Sequence, residues 1–233
     1  MSSQRVIGML IFPRLTQLDL TGPYEVLARL PNTAVHLVAH TLDPVKTDRG
    51  MMLVPTVTYR DCPQLDVVMV PGGPGQQELM EDAVVIEFLQ RQAGAAKYVT
   101  SVCTGSLVLG AAGLLKGKRA TSHWAAIEHL SLLGAIPVRE RVVVDGNIVT
   151  GAGVASGIDF ALALAAILEG EDVVREIQLQ IEYDPAPPFN SGSPRTASAE
   201  TIAAVRGRLA QLNAARRDVA RRVGRKLGVP QGT

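Results

Sequence analysis

Hydrophobic runs with the length of strands alternate with runs that have helical spacing through the first half of the chain. The predicted strands are 6–12, 35–40, 67–70 and 98–102, and the predicted helices are 23–30 and about 78–92. The run 67–70 is apolar throughout, as expected of a strand that is covered on both faces. This alternation predicts an α/β fold in which a mostly parallel sheet lies between two layers of helices.

Later in the chain the pattern changes to a hairpin and then to longer helices. Strands at 142–144 and 148–150 flank the turn Asp145-Gly146-Asn147, which predicts an antiparallel hairpin at the edge of the sheet. A helix at 158–168 follows and closes the core. The proline-rich segment 184–194 is interpreted as an extended connector.

The segment after the connector predicts one basic amphipathic helix. Its apolar residues recur at helical spacing, at Ile202, Val205, Leu209, Leu212, Val219, Val223 and Leu227. Much of the remainder is basic, at Arg206, Arg208, Arg216, Arg217, Arg221, Arg222, Arg225 and Lys226. Such a helix could be a nucleic-acid arm, or it could pack on the body or on a second subunit. The lack of any DNA-binding motif favours packing. The predicted division is an α/β domain over 1–190 and a helical extension over 191–233.

Composition narrows the classes of protein to consider. The chain of 233 residues is 47% hydrophobic with a formal net charge of +1, and no apolar run reaches the ~20 residues of a membrane span. The N-terminus leads directly into a strand and lacks the pattern of a signal peptide, so the cytoplasm is the expected location. Cys62 and Cys103 are too few for a disulfide framework and lack zinc-site spacing, so no metal is expected.

Cys103 lies at the predicted turn between strand 98–102 and a small-residue helix that begins near Gly105. A sharp strand-to-helix turn exposes its side chain above the sheet and directs the amides of the next helix toward it. These amides favour the thiolate, so we expect a nucleophile with a depressed pKa. The alternative is that Cys103 is a small buried hydrophobe.

Three other features have both a structural and a functional interpretation. Asp19 stands where the first strand's loop enters a helix and is typical of an N-cap. The glycines of the loop 71–75 are typical of a tight turn but also leave backbone amides accessible. The run 151–157 has the spacing G-x-G-x-x-x-G without a later acidic residue at a strand end, which excludes a dinucleotide fingerprint.

Several segments together resemble the ThiJ/PfpI superfamily, which is related to the class I glutamine amidotransferases. They are Phe12-Pro13, Leu18-Asp19-Leu20-Thr21-Gly22-Pro23, Val70-Pro71-Gly72-Gly73, Ser101-Val102-Cys103-Thr104-Gly105-Ser106, Arg119-Ala120-Thr121-Ser122-His123-Trp124 and Gly157-Ile158-Asp159-Phe160. The resemblance covers nearly the whole chain. It implies a flavodoxin-like sandwich, a homodimer and no metal or organic cofactor.

Within that superfamily the chain is most similar to the isocyanide hydratases, through Asp19, Thr104 and the segment 182–190. This similarity implies hydration of an isocyanide to an N-substituted formamide, with Cys103 as nucleophile. Asp19 would hold the proton and deliver it, and the Thr104 hydroxyl would orient Asp19. The thiol would form a covalent thioimidate with the substrate.

The resemblance also assigns the surroundings of the cysteine. The loop at Gly72 and Gly73 would face the reacting centre, with the Gly73 and Thr104 amides stabilising negative charge. Val154 would shape the pocket, and His123 would lie near it without a certain role. The chain lacks the His-Pro-Glu pattern of the amidotransferases and has no histidine after Cys103, which argues against amidotransferase and peptidase activity.

Two alternatives remain open at this point. One is a glyoxalase or deglycase of the same superfamily, against which the aspartate at position 19 and Thr104 count. The other is a non-catalytic ligand-binding module, since the input domains of some AraC-type regulators look similar. Those regulators continue into a DNA-binding domain, and only one basic helix follows here. Neither nucleic acid nor a membrane is expected as a partner.

Overall fold

The computed structural model describes residues 4–231 of the chain. Its strands, in chain order, are β1 (Arg5–Leu10), β2 (Thr33–Ala39), β3 (Val45–Lys46), β4 (Met52–Leu53), β5 (Val57–Thr58), β6 (Val67–Val70), β7 (Tyr98–Val102), β8 (Arg119–Ala120), β9 (Ile136–Pro137), β10 (Val142–Asp145) and β11 (Ile148–Gly151). Seven of them form one sheet in the order β10-β11-β7-β6-β1-β2-β5. All neighbours in this sheet are parallel except β10 and β11, which form the predicted edge hairpin.

Helices surround this sheet in two layers. They are α1 (Gln17–Leu27), α2 (Gln76–Leu79), α3 (Ala83–Ala93), α4 (Gly105–Ala111), α5 (Ser156–Glu169), α6 (Glu171–Gln180) and α7 (Ala199–Lys226), with a 3-10 helix over Ile127–Leu133. Helix α5 packs against α1 and α6, whereas α4 packs against α2, α3, α7 and the 3-10 helix. The predicted α/β sandwich with a mostly parallel sheet is therefore confirmed.

The central strands are buried on both faces, as their apolar sequences predicted. Every residue of β6 is buried, and it pairs with β1 on one side and β7 on the other. The observed bounds of β6 and β7 coincide with the predicted 67–70 and 98–102. In a parallel sheet, the ends of these two strands bring their following loops side by side.

Two helical predictions were wrong in their bounds, and one helix was missed. Helix α1 begins at Gln17, earlier than the predicted residue 23, and Pro23 lies inside it. The predicted helix 78–92 is two helices, because the Asp82 side chain accepts hydrogen bonds from the Val84 and Val85 amides and starts α3 anew. Helix α6 was not predicted at all.

The C-terminal helix α7 packs on the α/β body of its own chain. Its residues Val219, Ala220 and Val223 belong to the buried core. Asn213 Nδ2 donates to the Ala125 carbonyl at 3.0 Å, and the Arg222 guanidinium pairs with Glu81 at 2.8 Å. Of the two predicted partners for this extension, body or second subunit, the structure shows the first.

No helix in the described part of the chain combines the length and apolar character that crossing a membrane requires.

Candidate active site

Cys103 occupies the turn between β7 and α4 with its backbone in the left-handed region, at φ 57°. This conformation is uncommon for a residue with a side chain and has to be held by its surroundings. The Cys103 amide donates to the Gly151 carbonyl at 3.0 Å. Its carbonyl oxygen accepts from the Ser122 hydroxyl at 3.0 Å and from the Ser106 hydroxyl at 3.2 Å. The predicted sharp turn is therefore present, and hydrogen bonds to both the amide and the carbonyl of Cys103 hold it.

Two glycines allow the strand ends to approach this turn closely. A Cβ at Gly105 would overlap the Val70 carbonyl oxygen at the end of β6. A Cβ at Gly72 would lie 2.6 Å from the Thr104 amide nitrogen and 2.8 Å from Asp19 Oδ2. Both distances are too short for carbon, so only glycine fits between these groups.

Asp19 lies in the first turn of α1 and is fully buried. Thr16, not Asp19, is the N-cap of this helix. The Asp19 carboxylate instead reaches the neighbouring loop, where Oδ2 accepts from the Gly72 amide at 3.0 Å. The Gly72 carbonyl in turn accepts from the Thr16 amide at 3.0 Å. This reciprocal pair of hydrogen bonds fixes the start of α1 against the end of β6.

The Asp19 carboxyl and the Cys103 thiol interact directly. Oδ1 of Asp19 is buried and accepts no hydrogen bond of ordinary geometry, yet the Cys103 side chain is close enough to lower the pKa of the carboxyl. Burial acts in the opposite direction and is the larger effect, so the pKa of Asp19 is raised from 3.8 to about 7. A carboxyl with this pKa can both accept and release a proton near neutral pH.

The thiol of Cys103 differs from the sequence-based expectation. Burial raises its pKa well above the usual range, and the nearby Asp19 charge raises it further. A hydrogen bond from the Thr104 amide opposes this shift but does not outweigh it. The expected depression of the thiol pKa was therefore wrong, because the helix amides compete with complete burial and an adjacent carboxylate.

Thr104 follows the cysteine at the N-cap position of α4 and does not cap that helix with its side chain. Its hydroxyl oxygen accepts from the Gly73 amide at 3.2 Å. The Gly72 and Gly73 amides are thus both engaged within the protein, in contrast to the expectation that the Gly73 amide faces the reacting centre. The Thr104 amide, in contrast, donates a hydrogen bond to the Cys103 sulfur.

Cys103 opens into a pocket of about 450 Å³. Its lining includes the predicted residues Gly73, Thr104, His123 and Val154, and also Thr16, Gln17, Leu18, Asp48, Arg49, Pro74, Leu209, Leu212 and Arg216. His123 Nδ1 accepts from the Ala125 amide at 3.3 Å. Burial, with a smaller contribution from Arg216, lowers the pKa of His123 to about 4, so its ring is neutral at pH 7.

Arg216 lines this pocket but was not among the predicted site residues. It lies on α7, is 5% exposed and contributes its guanidinium to the pocket. Arg216 was counted among the basic residues of that helix, although it stands four residues after Leu212 and three before Val219. Those spacings place it on the apolar face, and this interruption of the stripe was the signal that could have identified it.

Within residues 4–231, no group of three or more His, Cys, Asp or Glu side chains is arranged to hold a metal ion.

Comparison with known proteins identifies the family to which this fold belongs. Residues 5–167 match the model of the DJ-1/PfpI family. The chain belongs to this family. Helix α7 lies outside the matched region, so the DJ-1/PfpI segment carries the turn at Cys103 but not Arg216.

Two relatives match nearly the whole chain, so their matched regions include α7. An isonitrile hydratase of Pseudomonas putida is 56% identical over 96% of this chain and 98% of its own length. A ThiJ/PfpI family protein from Pseudomonas syringae has a crystal structure with a TM-score of 0.92 and 44% identity, covering 94% of this chain and 91% of that one. A glutathione-independent glyoxalase of Caenorhabditis elegans is 30% identical over 74% of this chain and 93% of its own.

Proposed function

We propose that this protein is an isocyanide (isonitrile) hydratase that converts R-N≡C and water into the formamide R-NH-CHO. The observation that carries the proposal is the 56% identity to the Pseudomonas putida isonitrile hydratase over nearly the full length of both chains. The site supports it, because the Cys103 thiol lines the pocket and interacts with the buried Asp19 carboxyl, whose pKa is about 7. These two groups supply the nucleophile and the proton that the reaction needs.

In the first half of the proposed reaction, the terminal carbon of the isocyanide accepts the sulfur of Cys103. The raised pKa of the thiol keeps its proton on sulfur at rest, so Asp19 removes that proton as the sulfur–carbon bond forms. Asp19 then gives the same proton to the substrate carbon, which leaves the thioimidate R-N=CH-S-Cys103. The Thr104 amide, which is hydrogen bonded to the sulfur, positions it for attack.

In the second half, water adds across the carbon–nitrogen double bond of the thioimidate. Asp19 accepts a proton from the water as its oxygen bonds to carbon, and the nitrogen receives that proton. The carbon–sulfur bond then breaks, and the hydroxyl proton passes through Asp19 to the departing sulfur. The products are the formamide and the regenerated thiol, so no cofactor is consumed.

The walls of the pocket support an apolar R group. Leu18, Val154, Leu209 and Leu212 line it, and such surfaces favour a neutral, partly hydrophobic substrate. Two of these residues belong to α7, so the extension takes part in forming the substrate pocket.

The deciding experiment follows formamide production from an aryl isocyanide by the wild type, Cys103→Ala and Cys62→Ala. Cys62 is the other free cysteine of the chain and does not line the pocket, which makes it the matched control. We expect turnover by the wild type and by Cys62→Ala and none by Cys103→Ala. Absence of turnover by the wild type, with its thiol reduced, would contradict the proposed activity toward this substrate class.

Glyoxalase activity is the second candidate, since the Caenorhabditis elegans relative carries that name. Lactate formation from methylglyoxal tests it in the same three proteins. We expect it to be at least about 100-fold slower than isocyanide hydration, and a comparable rate would reverse the order of the two candidates.

The assembly and location of the protein are also proposals. We propose a cytoplasmic homodimer, as the superfamily resemblance implies. Exposed apolar side chains such as Leu179 and Phe189 offer surface that a second copy can cover. Light scattering at micromolar concentration distinguishes a dimer from a monomer. DNA binding is not expected, because α7 packs on the body, and a salt titration with duplex DNA checks this expectation.

A further inference from the structure

Arg216 places a buried positive charge at the pocket without a contacting anion. Its guanidinium donates to Gln76 Oε1 at 2.9 Å, to the Gly73 carbonyl at 3.1 Å and to Asn213 Oδ1 at 3.2 Å. All three acceptors are neutral. Among the residues that the structure describes, no carboxylate lies within ion-pair distance of Arg216.

A buried guanidinium without a counter-charge is strongly unfavourable, because it loses its hydration. The acidic groups that line the pocket are Asp48 and the Cys103 thiol, and the buried Asp19 carboxyl interacts with that thiol. Asp48 accepts from the Thr16 hydroxyl at 3.3 Å. The electrostatic partners of Arg216 are Cys103 and Asp19, each of which raises the pKa of the guanidinium. The negative charge of the Asp19–Cys103 pair thus interacts with Arg216 through space, and Cys103 and Arg216 line the same pocket.

We propose that Arg216 is a positioning residue of the active site, whose guanidinium is carried into the pocket by α7 and holds Asp19 and Cys103 in their singly anionic form. This inference rests on the proposed function only in taking Cys103 as the nucleophile. The coupling is reciprocal, since the anion in turn offsets the burial of the guanidinium. The DJ-1/PfpI segment thus depends on a residue that lies outside it.

Other charges around these groups have to be considered with Arg216. They come from four regions of the fold: Asp48 and Arg49 between β3 and β4, His123 after β8, His129 on the 3-10 helix and Arg217 on α7. His123 has a pKa of about 4 and contributes no charge at pH 7. Burial also lowers the pKa of His129. Arg49 is 89% exposed in its side chain, so solvent screens its charge.

The test measures alkylation of Cys103 by iodoacetamide as a function of pH, in a Cys62→Ala background where it is the one remaining thiol. The midpoint of the rate-against-pH profile reports the pKa of the Cys103 thiol, because only the thiolate is alkylated. A change in how easily iodoacetamide reaches the thiol instead alters the rate by the same factor at every pH. We expect Arg216→Met to shift the midpoint upward, with at least about a tenfold slower reaction at fixed pH below it. Arg216→Lys keeps the charge and is expected to shift it less.

Arg222→Met is the matched control, because Arg222 lies on the same helix and pairs with Glu81 at the surface. It is expected to leave the midpoint unchanged. Gln76→Glu is a second test that leaves Arg216 unchanged. Its carboxylate would pair with the guanidinium and add negative charge near the thiol. We expect the same upward shift as for Arg216→Met.

An unchanged midpoint in both Arg216→Met and Gln76→Glu would overturn the proposal, and so would an equal shift in Arg222→Met. A rise in KM for the isocyanide with an unaltered pH profile would also overturn it, since Arg216 would then bind substrate only. Because alkylation needs no isocyanide, this result stays separate from any failure of the hydratase assay.

Discussion

Replacement of Asp19 by asparagine should stabilise the fold at alkaline pH while removing activity. The side chain is fully buried, and its burial raises the pKa to about 7 in the folded protein. An unfolded aspartate ionises near 3.8. Between these two values the folded state holds a proton that the unfolded state has lost, so stability falls as pH rises.

The size of this effect follows from the two pKa values. A rise from 3.8 to about 7 corresponds to about 4 kcal/mol, since one pKa unit equals ~1.36 kcal/mol. The loss begins above pH 4 and is nearly complete by pH 8. Asparagine is neutral throughout, and its oxygen can still accept from the Gly72 amide. The variant therefore does not lose stability as the pH rises, although its side-chain NH2 group needs a hydrogen-bond acceptor beside Cys103.

Urea unfolding of the wild type and Asp19→Asn at pH 4, 6 and 8 checks the prediction. The free-energy difference between the two proteins should move in favour of the variant by up to about 4 kcal/mol across that range. Asp172→Asn is the control, because the Asp172 side chain is 96% exposed, and its difference from the wild type should stay within ~0.5 kcal/mol. A constant difference for Asp19→Asn would refute the argument from burial.

The same variant should lose about 100-fold to 10,000-fold in kcat/KM for isocyanide hydration, because it cannot carry the proton. Full activity in Asp19→Asn would remove the proposed proton transfer.

The remaining predictions concern the fit of the turn and of α7. Gly72→Ala forces a Cβ against the Thr104 amide, so we expect about 1–3 kcal/mol lower stability in urea unfolding and at least a tenfold loss of activity. Gly207→Ala, in open space on α7, should instead stabilise by about 0.5–1 kcal/mol, and equal effects of the two would contradict this reasoning. Thr104→Val leaves the Gly73 amide without its acceptor and should cost about 1–3 kcal/mol, whereas Thr104→Ser should retain most stability. Arg222→Ala removes an exposed ion pair, and a thermal shift equivalent to more than ~1 kcal/mol would be unexpected.

The fold could be predicted because its signals are local. The strands β6 and β7 are short apolar runs, and their bounds agree with the prediction. The turn at Cys103 is marked by the change from β-branched residues to small ones within a few positions. The bounds of α1 were harder to predict, because its start depends on the Thr16 amide contacting the Gly72 carbonyl more than fifty residues away.

The electrostatics of the site depended on distant parts of the chain and so required the tertiary structure. From sequence, the amides of α4 indicated a depressed thiol pKa, but burial of Cys103 and the carboxyl of Asp19 reverse its direction. The role of Gly73 likewise changes, because its amide is held by Thr104.

The sequence by itself determined the α/β sandwich and the strand-to-helix turn that carries Cys103, since hydrophobic periodicity is a property of adjacent residues, whereas the pairing of Asp19 with Cys103 was implied only by the family resemblance. Only the tertiary structure decided which proton resides where and that Arg216 faces the pocket. A pKa depends on everything that surrounds a group in space, and α7 returns to the pocket after more than a hundred residues of intervening chain.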